Sequence, residues 1–448
     1  MLERTSEMSA TTPSSWRAAS LSKVGTVGLI LLIAVIARLN QVGVPLIWFD
    51  EAFSVWLARL PLEQMIYFTA SDVHPPLYYL VLHYWMVGLG DSVLAVRGLS
   101  VLFGTATVAV GMLLVRRVYA WPTVVMAGLL LALFPIAVRY SQETRMYAMH
   151  GFLMLSALYA LSAWTRQQRS GYLLAYMLLM ILGMYTHYFT LLAAMASWVC
   201  VALLRGDGGR RLILARSWWL CNLTIALALL PWLATMLRQA TEPRGLNWIE
   251  RPSVQTLPLA TWRAFTLGVE APYVAVLMSL LLAILLIAGA LAVRLDQTRG
   301  RLCWILAGFC CVPLLAAWFG SYYRPMFMER YLLFALLCMP ILLAIFFSRL
   351  SWYRLALSLG TCLALEGVGL VYLYTQSSNL NGGTSWIGNR LDCVMAEVGK
   401  RWQPGDVLVA GTSPLILDFY NKSGQPLYVY SDTPPRRMTD RFILLRSN

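Results

Sequence analysis

The chain has 448 residues, 59% of them hydrophobic and only 12% charged, with a mean hydropathy of +0.64 and a net charge of +14. Soluble domains carry about 25% charged residues, so this balance excludes an ordinary soluble protein. Apolar runs long enough to cross a bilayer recur along most of the length, and the arginine excess falls mostly in the short loops between them rather than on a basic face interleaved with aromatics, which argues against nucleic acid as a partner.

Residues 1–23 are polar and rich in Ser and Thr, and they predict a disordered cytoplasmic N-terminus. The apolar run 24–46 comes next. No small-residue cleavage site follows it, so it is expected to remain as a first helix and not to leave as a signal. The first outside loop, 47–74, opens with "WFDEAFSVW" at 48–56, which places the adjacent acids Asp50 and Glu51 directly after an apolar run. Phe53, Trp56, Leu57 and Leu60 recur at helical spacing, the pattern of a short helix in the interface plane. Asp50 then stands at the helix N-terminus, where the dipole and free backbone N–H groups favour an ionised carboxylate. Two readings stay open there: a general base or cation ligand, or a plain helix cap. The loop closes with "SDVHPPLYYL", in which Pro75 biases His74 away from helical geometry. His74 is thereby presented near headgroup level, with a solvated interface histidine as the competing reading.

Further apolar segments lie near 75–90, 93–115, 122–138, 147–164, 172–185, 188–204, 216–236, 273–293, 302–319, 331–347 and 352–374. The loops at 116–117, 166–169, 205–211, 294–301 and 349–354 are basic and are assigned to the cytoplasm. "RYSQETRMY", "YTHYF", the span 239–272 and "SYYRPMFMER" alternate with them and face outward. Arg139, Arg145, Arg324 and Arg330 therefore sit on the side where positive charge is disfavoured, which hints at a task. Glu143 shares the second outside loop, with 47–74 counted as the first. His187 and Tyr188 lie in the third, where an aromatic interface belt competes with substrate contact. Glu366 is an acid within the last apolar segment, where snorkelling competes with a functional role. The parity of the loops conflicts at 75–115, where two apolar runs must yield one net crossing; an odd total of eleven or thirteen crossings is expected.

Residues 375–448 change character. "GDVLVAG", "SPLILDFYNKSG", "PLYVY" and "RFILLR" read as strand, helix, strand and strand. The fold class expected is thus an all-α polytopic membrane protein, of about eleven to thirteen transmembrane helices over 24–374, with a small extracytoplasmic α/β appendage. Seven of the eight cysteines lie in apolar runs and Cys393 in the tail, so no disulfide framework follows. The histidines at 74, 83, 150 and 187 show no metal-site spacing.

"DEAFS", "HPPLYYLVLHYW", "VRGLSVLFG", "SQETRMYA" and "MERYLLFALLCMP" occur in that order. Together they resemble the polytopic GT-C glycosyltransferases, and within them the dolichyl-phosphate-mannose protein mannosyltransferase superfamily, which includes bacterial aminoarabinose transferases. The resemblance covers about residues 24–375. It implies a polyprenyl-phosphate-linked sugar donor, an extracytoplasmic acceptor (lipid, protein or envelope glycan) and an active site on the outer face of a bacterial inner membrane. Asp50 matches the family's first-loop acid and is the catalytic candidate, with Glu51 as the second acid of the pair. His74, Arg145, Arg324 and Arg330 are candidates for the donor phosphate. Glu143 stands near where some relatives carry an Asp; His187 and Tyr188 are possible substrate contacts. If a divalent metal takes part, Asp50, Glu51 or His74 would hold it. A transporter or flippase of a lipid-linked sugar is the alternative from another class, although no matching halves with broken helices are apparent.

Overall fold

The computed structural model describes residues 13–206, 209–241, 249–298, 301–375, 391–403, 408–410, 414–422, 424–425 and 427–429. The helices are α1 (Pro13–Leu39), α2 (Phe49–Arg59), α3 (Leu62–Ala70), α4 (Leu77–Leu89), α5 (Val93–Arg116), α6 (Trp121–Leu133), α7 (Pro135–Ser141), α8 (Tyr147–Gln167), α9 (Ser170–Met184) and α10 (Thr190–Leu203). They continue as α11 (Arg216–Thr241), α12 (Thr256–Thr266), α13 (Val274–Leu295), α14 (Leu302–Gly320), α15 (Leu333–Leu336), α16 (Cys338–Phe347) and α17 (Trp352–Tyr374). The appendage adds α18 (Leu391–Arg401), β1 (Leu408–Ala410), α19 (Pro414–Tyr420) and β2 (Leu427–Val429).

Among the described residues six helices are long and apolar enough to cross a membrane: α1 from Ser22, α5, α11, α13, α14 and α17. A seventh passage is the pair α6–α7, bent by 54°. Pro135 causes that break. Its ring fixes φ and removes a donor, and it drives Phe134 out of helical geometry, to φ −56 and ψ 109. The carbonyls freed at the end of α6 are met by Arg38, a fully buried arginine of α1. Its Nη1 donates to the Ala132 carbonyl at 2.9 Å and its Nη2 to Leu131 at 3.4 Å, while Nε reaches Ser141 Oγ at 3.2 Å. Only a glycine fits opposite this junction, because a Cβ on Gly104 would lie 2.0 Å from Ser141 Oγ.

The parity conflict over 75–115 has a structural answer in α4. At one end the Leu77 N–H bonds the Tyr185 carbonyl at 2.9 Å, and at the other Asp91 pairs with Arg59 at 2.6 Å. Along its length His83 Nδ1 donates to the Ala58 carbonyl at 2.7 Å. Both ends of α4 therefore belong to the same end of the bundle as α2, and 75–115 makes one net crossing, through α5. At the far end of α5, Arg166 Nη1 donates to the Arg117 carbonyl at 2.9 Å, which joins two of the basic loops. The helix α8 and the shorter apolar helices α9, α10 and α15–α16 lie between these passages in chain order.

One expectation shifts. Helix α1 opens at Pro13, inside the N-terminal segment 1–23 expected to be disordered, because Pro suits a first helical position. In the appendage β1 and β2 pair in parallel, Leu408 with Leu427 and Ala410 with Val429, with α19 as the crossover that parallel strands require. The expected strand "RFILLR" lies outside the described residues. The appendage rests on α2: the Ile47 N–H bonds Tyr420 Oη at 2.9 Å, and Arg59 pairs with Asp418 at 3.1 Å.

Candidate active site

The start of α2 is capped by Glu51, not by Asp50. Trp48 occupies the N-cap position, and its backbone N–H donates to Glu51 Oε2 at 3.4 Å. The cap reading of Asp50 therefore gives way: its carboxylate is turned from the helix end toward two guanidinium groups. Oδ2 lies 4.0 Å from Arg145 Nη2 and 4.0 Å from Arg330 Nη1, and the side chain stays 26% exposed while both arginines are buried. Arg145 is seated on α2 itself. Its Nη1 donates to the Asp50 carbonyl at 3.2 Å and to Ser54 Oγ at 3.0 Å, and the Ser54 hydroxyl donates to the Asp50 carbonyl at 2.7 Å.

Glu51 faces inward and is fully buried. Arg97 Nε and Nη2 donate to its two oxygens at 2.9 and 2.7 Å, and the Thr144 N–H adds a bond at 2.8 Å. Burial pushes its pKa up, but Arg97 and the Thr144 N–H outweigh burial and hold it below the usual carboxylate range. Arg97 also donates to the carbonyls of Val42, Pro45 and Leu46, at 2.6, 2.8 and 3.2 Å. One buried ion pair thus ties together the end of the α1–α2 connection, the start of α2, the start of α5 and the loop between α7 and α8 that carries Thr144.

Beside the arginines lies an aromatic and imidazole cluster. The Arg330 guanidinium sits 5.5 Å from the Trp48 ring, 5.9 Å from Tyr147 and 5.4 Å from Tyr331, within cation–π range. Tyr331 in turn lies 5.1 Å from His187 and 6.5 Å from His74, and His187 stacks on His150 at 5.2 Å. His74 Nδ1 pairs with Asp72 Oδ2 at 3.2 Å; burial lowers the pKa of His74, against the pull of Asp72. The Phe189 N–H donates to His187 Nδ1 at 3.1 Å, which assigns the proton of the neutral ring to Nε2. Burial keeps His187 in that neutral form, well below its ordinary pKa, and Nε2 has no hydrogen-bond partner among the described residues.

Asp50, Arg145, Arg330, His74 and His187 are therefore brought together, with Glu51 behind them. The other candidates take different places. Glu143 is buried and paired with Arg139 at 2.6 Å. Tyr188 hydrogen-bonds Gln239 and accepts from Trp232 Nε1 at 2.9 Å, which fastens the α9–α10 turn to α11. Arg324 lies half-buried in the turn after α14 that leads to Arg330. Glu366 does not snorkel: it is fully buried, and neither carboxyl oxygen has a hydrogen-bond partner among the described residues. Among the described residues no group of three His, Cys, Asp or Glu side chains is placed to hold a metal ion. Of the three residues considered as ligands, Asp50 faces two cations and Glu51 has both oxygens bonded, while His74 turns Nδ1 to Asp72 and keeps Nε2 as its remaining ring nitrogen. Sequence reasoning passed over Arg97, Tyr147 and Tyr331, although all three lie within or beside the motifs "VRGLSVLFG", "SQETRMYA" and "MERYLL".

Comparison with known proteins agrees with this architecture. Residues 73–234 match the family model described as dolichyl-phosphate-mannose-protein mannosyltransferase. No curated protein matches the chain by sequence. The structure is similar to ArnT from Cupriavidus metallidurans in the apo state, at 15% identity and a TM-score of 0.59, covering 92% of this chain and 86% of ArnT. It is similar to the same protein bound to undecaprenyl phosphate at 15% identity and TM-score 0.59, covering 94% and 87%. It also resembles the archaeal oligosaccharyltransferase AglB from Archaeoglobus fulgidus, in complex with an inhibitory peptide and a dolichol-phosphate. That match has 13% identity and a TM-score of 0.58 and covers 90% of this chain and 64% of AglB.

Proposed function

We propose that this chain, which has the fold of the GT-C glycosyltransferase superfamily, moves a sugar from a polyprenyl-phosphate-linked donor to an acceptor on the extracytoplasmic face. The observation that carries this reading is the arrangement around Asp50, a part-exposed carboxylate with Arg145 Nη2 and Arg330 Nη1 each 4.0 Å from Oδ2. Two of the structures it resembles were solved with undecaprenyl phosphate and with a dolichol-phosphate bound, which supports a lipid phosphate as part of the donor.

The chemistry asks for these groups. An acceptor hydroxyl attacks the anomeric carbon, the C–O bond to phosphate breaks, and the polyprenyl phosphate leaves with the bonding electron pair. Positive charge builds on the sugar as in glycoside hydrolysis, and negative charge collects on the phosphate. Asp50 takes the acceptor's proton. Arg145 and Arg330 meet the leaving phosphate with forks that grip two oxygens and stay charged. Glu51 has both oxygens committed to Arg97 and Thr144, so it acts as a positioning residue that fixes the start of α2. His187 Nε2–H and His74 border the same space and suit contact with sugar hydroxyls or phosphate. The basic loops lie at the opposite end of the bundle, which by the positive-inside rule supports a site on the extracytoplasmic face.

Purified protein in proteoliposomes, given radiolabelled polyprenyl-phosphate mannose or polyprenyl-phosphate aminoarabinose together with cell-envelope extract as acceptor, tests the reading. Release of free polyprenyl phosphate with label passed to the extract is the expected result. Intact donor that merely changes leaflet would instead identify a flippase.

A further inference from the structure

At the end of the bundle away from Asp50, a cavity of about 560 Å³ opens between α5, α8 and α9. Val110 and Leu113 of α5 and Ala175 and Leu179 of α9 form its sides, with Ser156 and Ala160 of α8 between them. The small side chains on α8 and α9 leave a slot where longer ones would close it. From Gly171 to Leu179 the slot follows α9 for eight residues, about 12 Å at the helical rise, so it reaches from the interface well into the apolar layer. Its depth is apolar apart from the Ser156 hydroxyl, a buried group with no hydrogen-bond partner among the described residues.

The mouth has the opposite character. Arg169 lines it, and so do Tyr159 and Tyr172. Arg117 is fixed over these two tyrosines, with Nη1 donating to their hydroxyls at 2.8 and 3.2 Å and its guanidinium 5.0 and 4.8 Å from their rings. The neighbouring Arg166 is held by its bond to the Arg117 carbonyl at 2.9 Å. A cationic rim therefore stands at the interface over an apolar slot.

We propose that this cleft binds one anionic glycerophospholipid of the cytoplasmic leaflet, an acyl chain in the slot and the phosphate against Arg169 and Arg117. Charge complementarity chooses the occupant. A zwitterionic headgroup brings its own cation to a rim that already carries several. A soluble phosphate fills the rim but leaves the slot empty. Basic pockets between transmembrane helices on the cytoplasmic side have the composition that holds anionic headgroups. A lipid seated here packs on the flank of α8, the helix that presents Tyr147 and His150 to the candidate active site at its other end.

Native mass spectrometry of the delipidated full-length protein, titrated separately with phosphatidylglycerol, phosphatidylcholine and inorganic phosphate, tests this. Phosphatidylglycerol should be retained at one copy, more tightly than phosphatidylcholine, and inorganic phosphate should leave no adduct. Arg169→Ala should weaken phosphatidylglycerol by about fivefold, the worth of one charge near an anionic headgroup. Ala160→Trp, which fills the slot, should abolish the adduct, while Leu174→Trp on the exposed face of α9 should leave it intact. Thermal melting of each variant confirms the fold, and Ala175→Leu replaces Ala160→Trp if the latter does not fold. Equal retention of both phospholipids, a phosphate adduct without lipid, or full binding after the slot is filled would each overturn the proposal.

Discussion

Arg97 grips Glu51 from both sides, with Nε at 2.9 Å from one carboxylate oxygen and Nη2 at 2.7 Å from the other, and both side chains are shut away from solvent. The pair is costly to desolvate, and it persists because every oxygen of the carboxylate and most donors of the guanidinium are bonded. Its consequence is local order. Asp50 precedes Glu51, so fixing Glu51 fixes where the neighbouring carboxylate points.

Breaking that pair from one side should be severe. Arg97→Met leaves a buried carboxylate with only the Thr144 N–H and the Trp48 N–H as donors. A loss of about 3–5 kcal/mol is expected, the usual result of stranding one partner of a buried pair. Denaturant or thermal melting in detergent measures it; a melting point equal to that of the native protein would show that the pair carries no structural weight.

The two arginines near Asp50 should respond differently to substitution. Arg330→Ala removes a cation that faces the site, and kcat should fall by about 10²–10³-fold, as when one transition-state donor is removed. Arg330→Lys keeps the charge but loses the fork and should restore only part of the rate. Arg145→Lys should lower both rate and melting temperature, because Arg145 also bonds the Asp50 carbonyl and Ser54. Paired kinetic and melting measurements separate the two cases; equal effects of Arg145→Lys and Arg330→Lys on stability would contradict the assignment.

Stability should fall on mild acidification, and the sign follows from burial. His74 and His187 are held below their ordinary pKa, so the unfolded chain takes up protons near pH 6.5 that the folded chain refuses. Their contribution is complete above about pH 6.5 and is lost as the pH falls below it. Asp72 and Glu51, also depressed, add a loss of the same sign only below about pH 4.5. The melting temperature should therefore drop between pH 7.5 and 5.5, and less steeply in a His74→Gln/His187→Gln variant. An unchanged slope in that double variant would show that these rings do not refuse the proton.

Much of this was legible in the sequence because hydropathy and charge act through local pattern. The apolar runs, the basic loops and the acids after the first run placed Asp50, Arg145, Arg330, His74 and His187 on one side of the membrane, and the structure brings them together. The strand–helix–strand pattern of the tail was readable for the same reason. What escaped depended on contacts between distant segments. Nothing local in "VRGLS" distinguishes Arg97 from any arginine near a helix start; its meaning lies in the partner 46 residues away. Glu51 and not Asp50 caps α2 because the chain turns one residue earlier than the pattern suggests, which frees Asp50. The α4 segment looked like half of a crossing problem until Tyr185 and Arg59 showed both its ends on one side.

The central claim is that Asp50 is the base. Asp50→Asn keeps nearly the same shape and disturbs none of the bonds made by the Asp50 backbone carbonyl. It loses only the carboxylate that accepts a proton. Sugar transfer from a polyprenyl-phosphate donor should fall by about 10²–10⁴-fold, the contribution of a positioned general base, with donor binding and melting temperature retained. The measurement is the single-turnover rate of label transfer in proteoliposomes, with melting followed on the same preparation. Transfer at the native rate by folded Asp50→Asn protein would contradict the account.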